Sequence, residues 1–478
     1  MGAQKHGRPH GALVVRRTTA RRQTRPGAKS RFHTGTQPED KPGLELRRTA
    51  TRLLAAIIDT RTPLDALTDG EHGHPQFLAL SPRDRTLLRA ILVSALRHRL
   101  TIEKLIGARL QKPLPPKAHA LSHILHVGAA QILFLDVPDS AAVDLAVTQA
   151  KADPRAARFS GLVNGILRNI AREKDDALPR ALSTTSDAPE WFAERLRAAY
   201  GGEETDAVLR AHRRAPPVGF TVKDDPQHWA EQLGGYVLPN GSVRLDRLGA
   251  SVPELPGYAE GGWWVQDAAA SLPARLLGDV QDLAVADLCA APGGKTAQLA
   301  HAGAKVTAVD LSTNRLKRLA GNLDRLKLAA EIVEADVLTW QPHRPFDAVL
   351  LDAPCSSTGT VRRHPDIPWT KTQEDITRLA DLQKRLLERA SSFVHPGGVV
   401  VFSNCSLDPA EGEELIRGIL SEREDLRLDP ILPEEVPGTR HFVTPEGFVR
   451  TTPAAIGDEE HLGDVDGFFC ARLRVCRT

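Results

Sequence analysis

Apolar positions along residues 44–172 recur at three- and four-residue intervals, the period of a helix that turns one face to a core. Leu46, Ala50, Leu53, Leu54 and Ile57 form the first such stripe. Ser81-Pro82 supplies an N-cap with proline at the first helical position, and Leu87, Leu88, Ile91, Leu92 and Ala95 continue from it. Pro115-Pro116 precedes a helix running to about Leu135, Asp139 opens another through Lys151, and Pro154 opens a third that carries Leu162, Ile166 and Ile170. The reading is an all-α domain that ends near Arg172.

Residues 174–265 give mixed signals. Pro189, Trp191, Phe192, Leu196 and Tyr200 suggest a helical start, whereas 216–222 (PPVGFTV) reads as a strand after a proline break. A linker with a small α/β subdomain is expected there. Trp263 and Trp264 at its end have two readings, stacking on a base or burial at a domain seam. Residues 266–478 then alternate short apolar runs with a helical stripe: strands over 283–288, 305–309, 331–335, 346–351 and 399–403, and a helix over 312–328 with Leu316, Leu319, Leu323 and Leu326 on one side. Such alternation is the mark of an open α/β sheet, in which ligands bind beyond the carboxyl ends of the strands.

The first of these strands carries the most chemistry. In 283–300 (LAVADLCAAPGGKTAQLA) a strand is broken by Pro292-Gly293-Gly294, and Thr296 opens a helix. Glycine lets the backbone approach a ligand, and the free N–H groups of a first helical turn favour a carboxylate or phosphate. The next strand ends at Asp310, twenty-three positions after Asp287, where an acidic residue accepts hydrogen bonds from ribose hydroxyls. The loop has neither full GxGxxG spacing nor a Walker lysine pattern, so a nucleoside without pyrophosphate, such as S-adenosylmethionine, is the better ligand. Asp336, at the end of the third strand, is placed to accept the exocyclic amine of adenine.

Composition narrows the class. At 478 residues the chain is too long for one ordinary core. Its net charge of +2 hides a basic start: residues 1–41 carry ten Lys or Arg against Glu39 and Asp40, with few large apolar residues. A disordered tail over 1–43 is expected, read as a solvated tail or as an arm that screens RNA phosphates. The chain has no bilayer-length apolar run and no secretory signal, so a cytoplasmic protein with reduced thiols is expected. The five cysteines lack spacing suited to zinc, and no metal is expected. A monomer is the default.

Two of those cysteines, Cys355 and Cys405, directly follow consecutive strands, with Asp352 at the same edge. Such a pair suits methylation at carbon 5 of a pyrimidine. That carbon is a poor nucleophile until a thiolate adds to C6.

These residues resemble a known family. DLCAAPGGKT from Asp287, LLDAPCSSTG from Leu350 followed by Arg362-Arg363-His364-Pro365-Asp366, NCS at Asn404 and DGFFCARL from Asp466 are similar to the RNA (cytosine-5) methyltransferases of the Sun/Fmu, or RsmB-like, group. The front domain resembles the NusB-like RNA-binding fold over 44–173, through Ser81-Pro82-Arg83-Asp84-Arg85, Gln131-Ile132-Leu133-Phe134-Leu135 and residues 162–168 (LVNGILR). The resemblance implies a multidomain protein, an all-α NusB-like domain plus an α/β Rossmann-like class I S-adenosylmethionine methyltransferase domain. It also implies that small-subunit (16S) rRNA is the substrate. On this resemblance Cys405 is the nucleophile, Cys355 helps release the methylated RNA, and Asp352 orients the cytosine and lies against the cofactor. Cys289, Ala290, Ala291, Pro292, Gly293, Gly294, Lys295, Asp310, Arg315 and Asp336 would bind S-adenosylmethionine. Arg97, Arg99 and Arg168 are candidates for phosphate contact, and Arg362, Arg363 and His364 for the RNA backbone beside Cys355. The family's usual threonine before the nucleophile is here Asn404. Two alternatives stand beside this reading: the same chemistry on tRNA or another RNA, and a non-catalytic RNA-binding or assembly factor.

Overall fold

The computed structural model describes residues 41–115 and 118–476. The expectation for the basic tail falls almost wholly outside them.

Six longer helices, Leu44–Thr60, Pro82–Arg97, Arg99–Gly107, His119–Phe134, Asp139–Ala152 and Ser160–Ser183, enclose one apolar core that includes Leu53, Ile57, Leu92, Leu125 and Leu167. The cap at Ser81 forms, its Oγ accepting from the Asp84 amide at 3.2 Å. The last helix departs from the periodicity at both ends. It begins at Ser160 rather than after Pro154, because the Asp153 side chain accepts from the Arg155 amide and turns the chain before the helix can start. It continues past Arg172 to Ser183, where Lys174 reaches Asp139 of the neighbouring helix at 2.9 Å and Ala181 is buried. The apolar stripe thins there, so spacing alone ends the helix too early.

After a helix over Glu190–His212, four short strands form an antiparallel sheet in the order β2-β3-β1-β4: β1 (Val218–Val222), β2 (Tyr236–Val237), β3 (Val243–Leu245) and β4 (Trp263–Val265). Its core is Phe220 against the edge of Trp263, their ring centroids 4.9 Å apart. Trp264 points the other way in the strand alternation and packs among Ala290, Ala291 and Leu319. Both tryptophans are therefore buried, the second at the seam with the larger sheet.

That sheet has eight strands: β5 (Ala284–Leu288), β6 (Lys305–Asp310), β7 (Glu331–Glu334), β8 (Phe346–Asp352), β9 (Val394–Asn404), β10 (Leu426–Leu428), β11 (Val449–Thr451) and β12 (Phe468–Val475). The order is β10-β12-β9-β8-β5-β6-β7, with β11 beside β12. The run from β9 to β7 is parallel, and β12 is antiparallel to β9. Helices cover both faces. Val349 and Phe402 face one core with Leu387 and Ile416, while Val285, Leu350 and Val401 face another with Leu272 and Leu299. Strands buried on two faces read as continuous apolar runs, which is why this sheet is legible in the sequence. The order reverses between β5 and β8, and parallel strands bring all five carboxyl ends to one edge. No helix among the described residues is long and apolar enough to cross a membrane.

Candidate functional site

The turn after β5 is built from small residues under tight constraint. Cys289 takes a left-handed backbone (φ 61°), uncommon for a residue with a Cβ, and Ala290 and Ala291 are buried. Gly293 (φ 102°) sits against Leu319, whose Cγ a Cβ there would meet at 2.9 Å. The helix Gly294–His301 begins directly after it with no side-chain cap, so the first-turn N–H groups stay open to a ligand. Beneath the loop, Asp287 is fully buried, accepts from Thr296 Oγ1 at 2.6 Å, and is pushed up by burial to about 7. Burial likewise pushes the Cys289 thiol up to about 12, away from the thiolate that a nucleophile needs.

Asp310 closes the next strand, almost wholly buried. Its Oδ2 accepts from the Ala291 amide at 3.2 Å and pairs with Arg315, and its Oδ1 accepts from Ser312. Arg315 also donates to the Ala291 carbonyl. Asp336 lies exposed after β7, its Oδ1 accepting from the Leu338 amide. Glycine loop, Asp310 and Asp336 thus stand in sequence along the edge from β5 to β7.

On the other side of β5, the ends of β8 and β9 hold the reactive groups. Lys295 Nζ donates to Asp352 Oδ2 at 2.7 Å, and Ser403 Oγ donates to Asp352 Oδ1 at 3.0 Å. Cys355 Sγ lies 3.5 Å from Cys405 Sγ. A hydrogen bond from the Cys355 thiol holds Cys405 below the ordinary thiol range against the opposing effect of burial, with Ser357 and the Lys295 charge assisting. Cys355 moves the other way, well above that range, because it is the donor in this contact and is itself buried. The two sulfurs are thus driven in opposite directions, Cys405 toward the thiolate and Cys355 toward the thiol.

Comparison with known proteins meets this geometry. Residues 274–474 match the family described as 16S rRNA methyltransferase RsmB/F, and residues 44–172 match the NusB family. The ribosomal RNA small subunit methyltransferase B of Serratia proteamaculans is 36% identical over 82% of this chain and 91% of its own length. That of Cronobacter sakazakii is 33% identical over 91% of this chain and 99% of its own. The chain belongs to the RsmB/F family. Among solved structures, the methyltransferase homolog protein from Pyrococcus horikoshii is 28% identical with a TM-score of 0.50, over 59% of this chain and 94% of its own.

Against the family's pattern, the basic run after Cys355 needs correction. Arg362 does not face RNA: its side chain is wholly buried and pairs with Asp464 and Asp466. Arg363 is held between Asp466 at 2.6 Å and Asp267 at 2.8 Å, and His364 pairs with Asp65 of the helical domain at 2.9 Å. Four carboxylates, three of them more than a hundred positions away in sequence, capture what reads locally as an exposed cationic patch. Arg97 and Arg99 are also drawn into this seam, the first donating to the Arg362 carbonyl and the second lying over the Trp369 ring. Arg168 alone of these candidates is exposed, in a groove of about 830 Å³ lined also by Lys151, Asn164 and Arg172.

Sequence reasoning missed the residues that hold the two cysteine loops. Asn404 is buried and bonded three ways: Nδ2 donates to Gln383 Oε1 and to the Glu411 carbonyl, and Oδ1 accepts from the Ser406 amide. It therefore supplies its own hydrogen bonding at the position where threonine is usual. Arg450 donates to the Ser406 carbonyl, Tyr200 to that of Leu407, and Arg195 grips Asp408. Among the described residues, the group of possible metal ligands is Asp59, His119 and His123, in the helical domain.

Proposed function

We propose that the chain transfers a methyl group from S-adenosylmethionine to carbon 5 of a cytosine in small-subunit rRNA. The observation that carries this reading is the 3.5 Å contact between Cys355 and Cys405 at the ends of adjacent parallel strands, beside Asp352. An exocyclic amine needs no such pair, whereas C5 gains its nucleophilicity only through covalent addition at C6.

The residues around β5 fit an adenosyl amino acid. Open N–H groups at Gly294 and Lys295 suit its carboxylate, Asp310 its ribose hydroxyls and Asp336 its adenine amine, while Ala290, Ala291 and Gly293 leave room for the chain. When bound, the group supplies an electrophilic methyl. Cys405 Sγ then adds to C6, and the electron pair of the C5–C6 bond becomes available at C5. After C5 is substituted and its proton is lost to a base, the C6–S bond breaks and the double bond returns. Cys355, 3.5 Å from Cys405, would serve as the proton source when Cys405 is released. Asp352, fixed by Lys295 and Ser403, presents a carboxylate edge to the base.

A base within a helix cannot reach this crevice, so the target is unpaired or flipped out. The test is transfer of labelled methyl to protein-free small-subunit rRNA, followed by nuclease digestion. 5-Methylcytidine in the digest supports the reading. Label recovered only from tRNA moves the substrate elsewhere, and no label from tRNA, rRNA or partly assembled subunits overturns the catalytic assignment.

A further inference from the structure

Both cysteine loops end on one buried carboxylate. Ser356 follows Cys355 and Ser406 follows Cys405, and the hydroxyls of these two serines lie 3.2 Å apart. Each donates to Glu411 Oε2, Ser406 at 2.6 Å and Ser356 at shorter range. Glu411 Oε1 accepts from the Ser356 amide at 2.9 Å and from Gln383 Nε2 at 2.8 Å. Glu411 and Gln383 are both wholly inaccessible to solvent. Thr358 completes the knot, its hydroxyl 3.1 Å from Ser406 Oγ and accepting from the Leu407 amide.

A carboxylate sealed from water is costly unless every lone pair finds a donor. Here the hydrogen-bond partners are neutral groups, two of them from the segment after Cys355 and one from the segment after Cys405. Capping one loop would need only one of these loops. A single carboxylate oxygen that takes a hydroxyl from each fixes their separation, and with it the sulfur-to-sulfur contact one residue upstream in both.

We propose that Glu411 is a positioning residue that ties the Cys355 loop to the Cys405 loop and so sets the distance between the two thiols. This rests on the methyl-transfer reading above. The carboxylate touches neither substrate nor sulfur; it acts through Ser356 and Ser406.

The experiment compares wild type, Glu411→Gln and the double variant Ser356→Ala/Ser406→Ala in full-length protein. It measures kcat and KM on rRNA and the pH profile of Cys405 alkylation by iodoacetamide, read on the Cys405 peptide. In the glutamine variant the oxygen can stay with the Ser356 amide and Gln383, but an NH2 group then faces the two hydroxyls, which lose their charged acceptor, so the tie is weakened. Expected is a fall in kcat of about ten- to a hundredfold with KM for RNA and for S-adenosylmethionine within about twofold. The alkylation midpoint of Cys405 should rise by about one pH unit, because Cys355 no longer donates to it. Around Cys405 also stand Asp352, Lys295, Ser357 and, further off, His364. Loss of the Glu411 charge alone would move the midpoint down, so an upward shift reports the lost contact. The serine double variant, which changes no charge, should move both readouts in the same direction, and it decides the matter if Glu411→Gln does not fold. Unchanged kcat, or a fall in kcat with the Cys405 profile unmoved, overturns the proposal. A wild type that yields no 5-methylcytidine while its alkylation profile still responds to these variants would defeat the methyl-transfer reading and leave the tie standing.

Discussion

Lys295 Nζ and Asp352 Oδ2 meet at 2.7 Å, joining the helix that follows the glycine loop to the strand that leads into Cys355. The lysine side chain is only 10% exposed and lies over the Phe468 ring. Burial by itself would lower its pKa, but the charge of Asp352 and its hydrogen bond raise it above the ordinary value, with Asp287 assisting. The glycine loop and the cysteine loops of the site are thus bound to each other through one ion pair.

Asp352→Asn should therefore cost more than one hydrogen bond. It leaves an ammonium buried against an amide, a loss of about 2–3 kcal/mol, below the full value for a buried pair because Asp352 remains partly exposed. Urea denaturation should show a lower midpoint at unchanged m. Adding Lys295→Met to that variant removes the stranded charge and should recover part of the stability while methyl transfer stays lost. A double variant no more stable than Asp352→Asn would mean that the pair contributes nothing as a pair.

The thiols should separate in a trapping assay. Cys405→Ala removes the proposed nucleophile, so no covalent RNA complex should form and transfer should be abolished. Cys355→Ala keeps the attack but takes away the neighbour at 3.5 Å, so enzyme should accumulate on RNA as a denaturant-resistant band. Gel analysis with labelled rRNA reads both. A band from the first variant, or none from the second, would reverse or dissolve the assignment.

Much of this edge is legible in the sequence because its signals are local. A strand, a glycine turn and a helix lie within eighteen residues, and Asp310, Asp352 and Cys405 each stand at or just beyond the end of an apolar run. What is hidden depends on partners distant in the chain. Arg362 reads as a surface cation because nothing near it is acidic but Asp366, yet Asp464 and Asp466 bury it. Glu411 draws no reading from the sequence, because only the fold brings Ser356 from fifty-five positions away to its carboxylate. The four-stranded sheet is obscure for another reason: strands of two to five residues carry too little alternation to register.

The burial of Arg362 makes a prediction about RNA affinity. A cation neutralising a phosphate contributes to the slope of log K against log salt concentration, and its removal lowers that slope by about one. Arg362→Met removes both the charge and the fork that spans Asp464 and Asp466, so the melting temperature should fall while the slope stays at the wild-type value. Arg168→Ala offers the contrast, since its side chain is exposed in the groove of the helical domain. A reduced slope in the Arg362 variant would return that residue to the RNA surface.

His364 and Asp65 give the seam between the helical domain and the Cys355 segment a pH dependence of definite sign. The His364 hydrogen bond is the main cause that holds Asp65 down to about 2, with Arg89 assisting. Burial would lower His364, but Asp65, through its hydrogen bond and charge, and Asp366 raise it above the ordinary value. The carboxylate's contribution is complete above about pH 3.9 and is lost as pH falls through its depressed value in the folded chain. The imidazolium's contribution is complete below about pH 6.5 and is lost as pH rises through its raised value. The pair therefore stabilises fully between those limits and fades on the alkaline side. The difference in unfolding free energy between wild type and His364→Gln, followed by urea titration, should be largest near about pH 5–6 and shrink by about pH 9. A difference that stays flat over that span would show that His364 titrates alike in the folded and unfolded chain, and that this ion pair does not fasten the two domains.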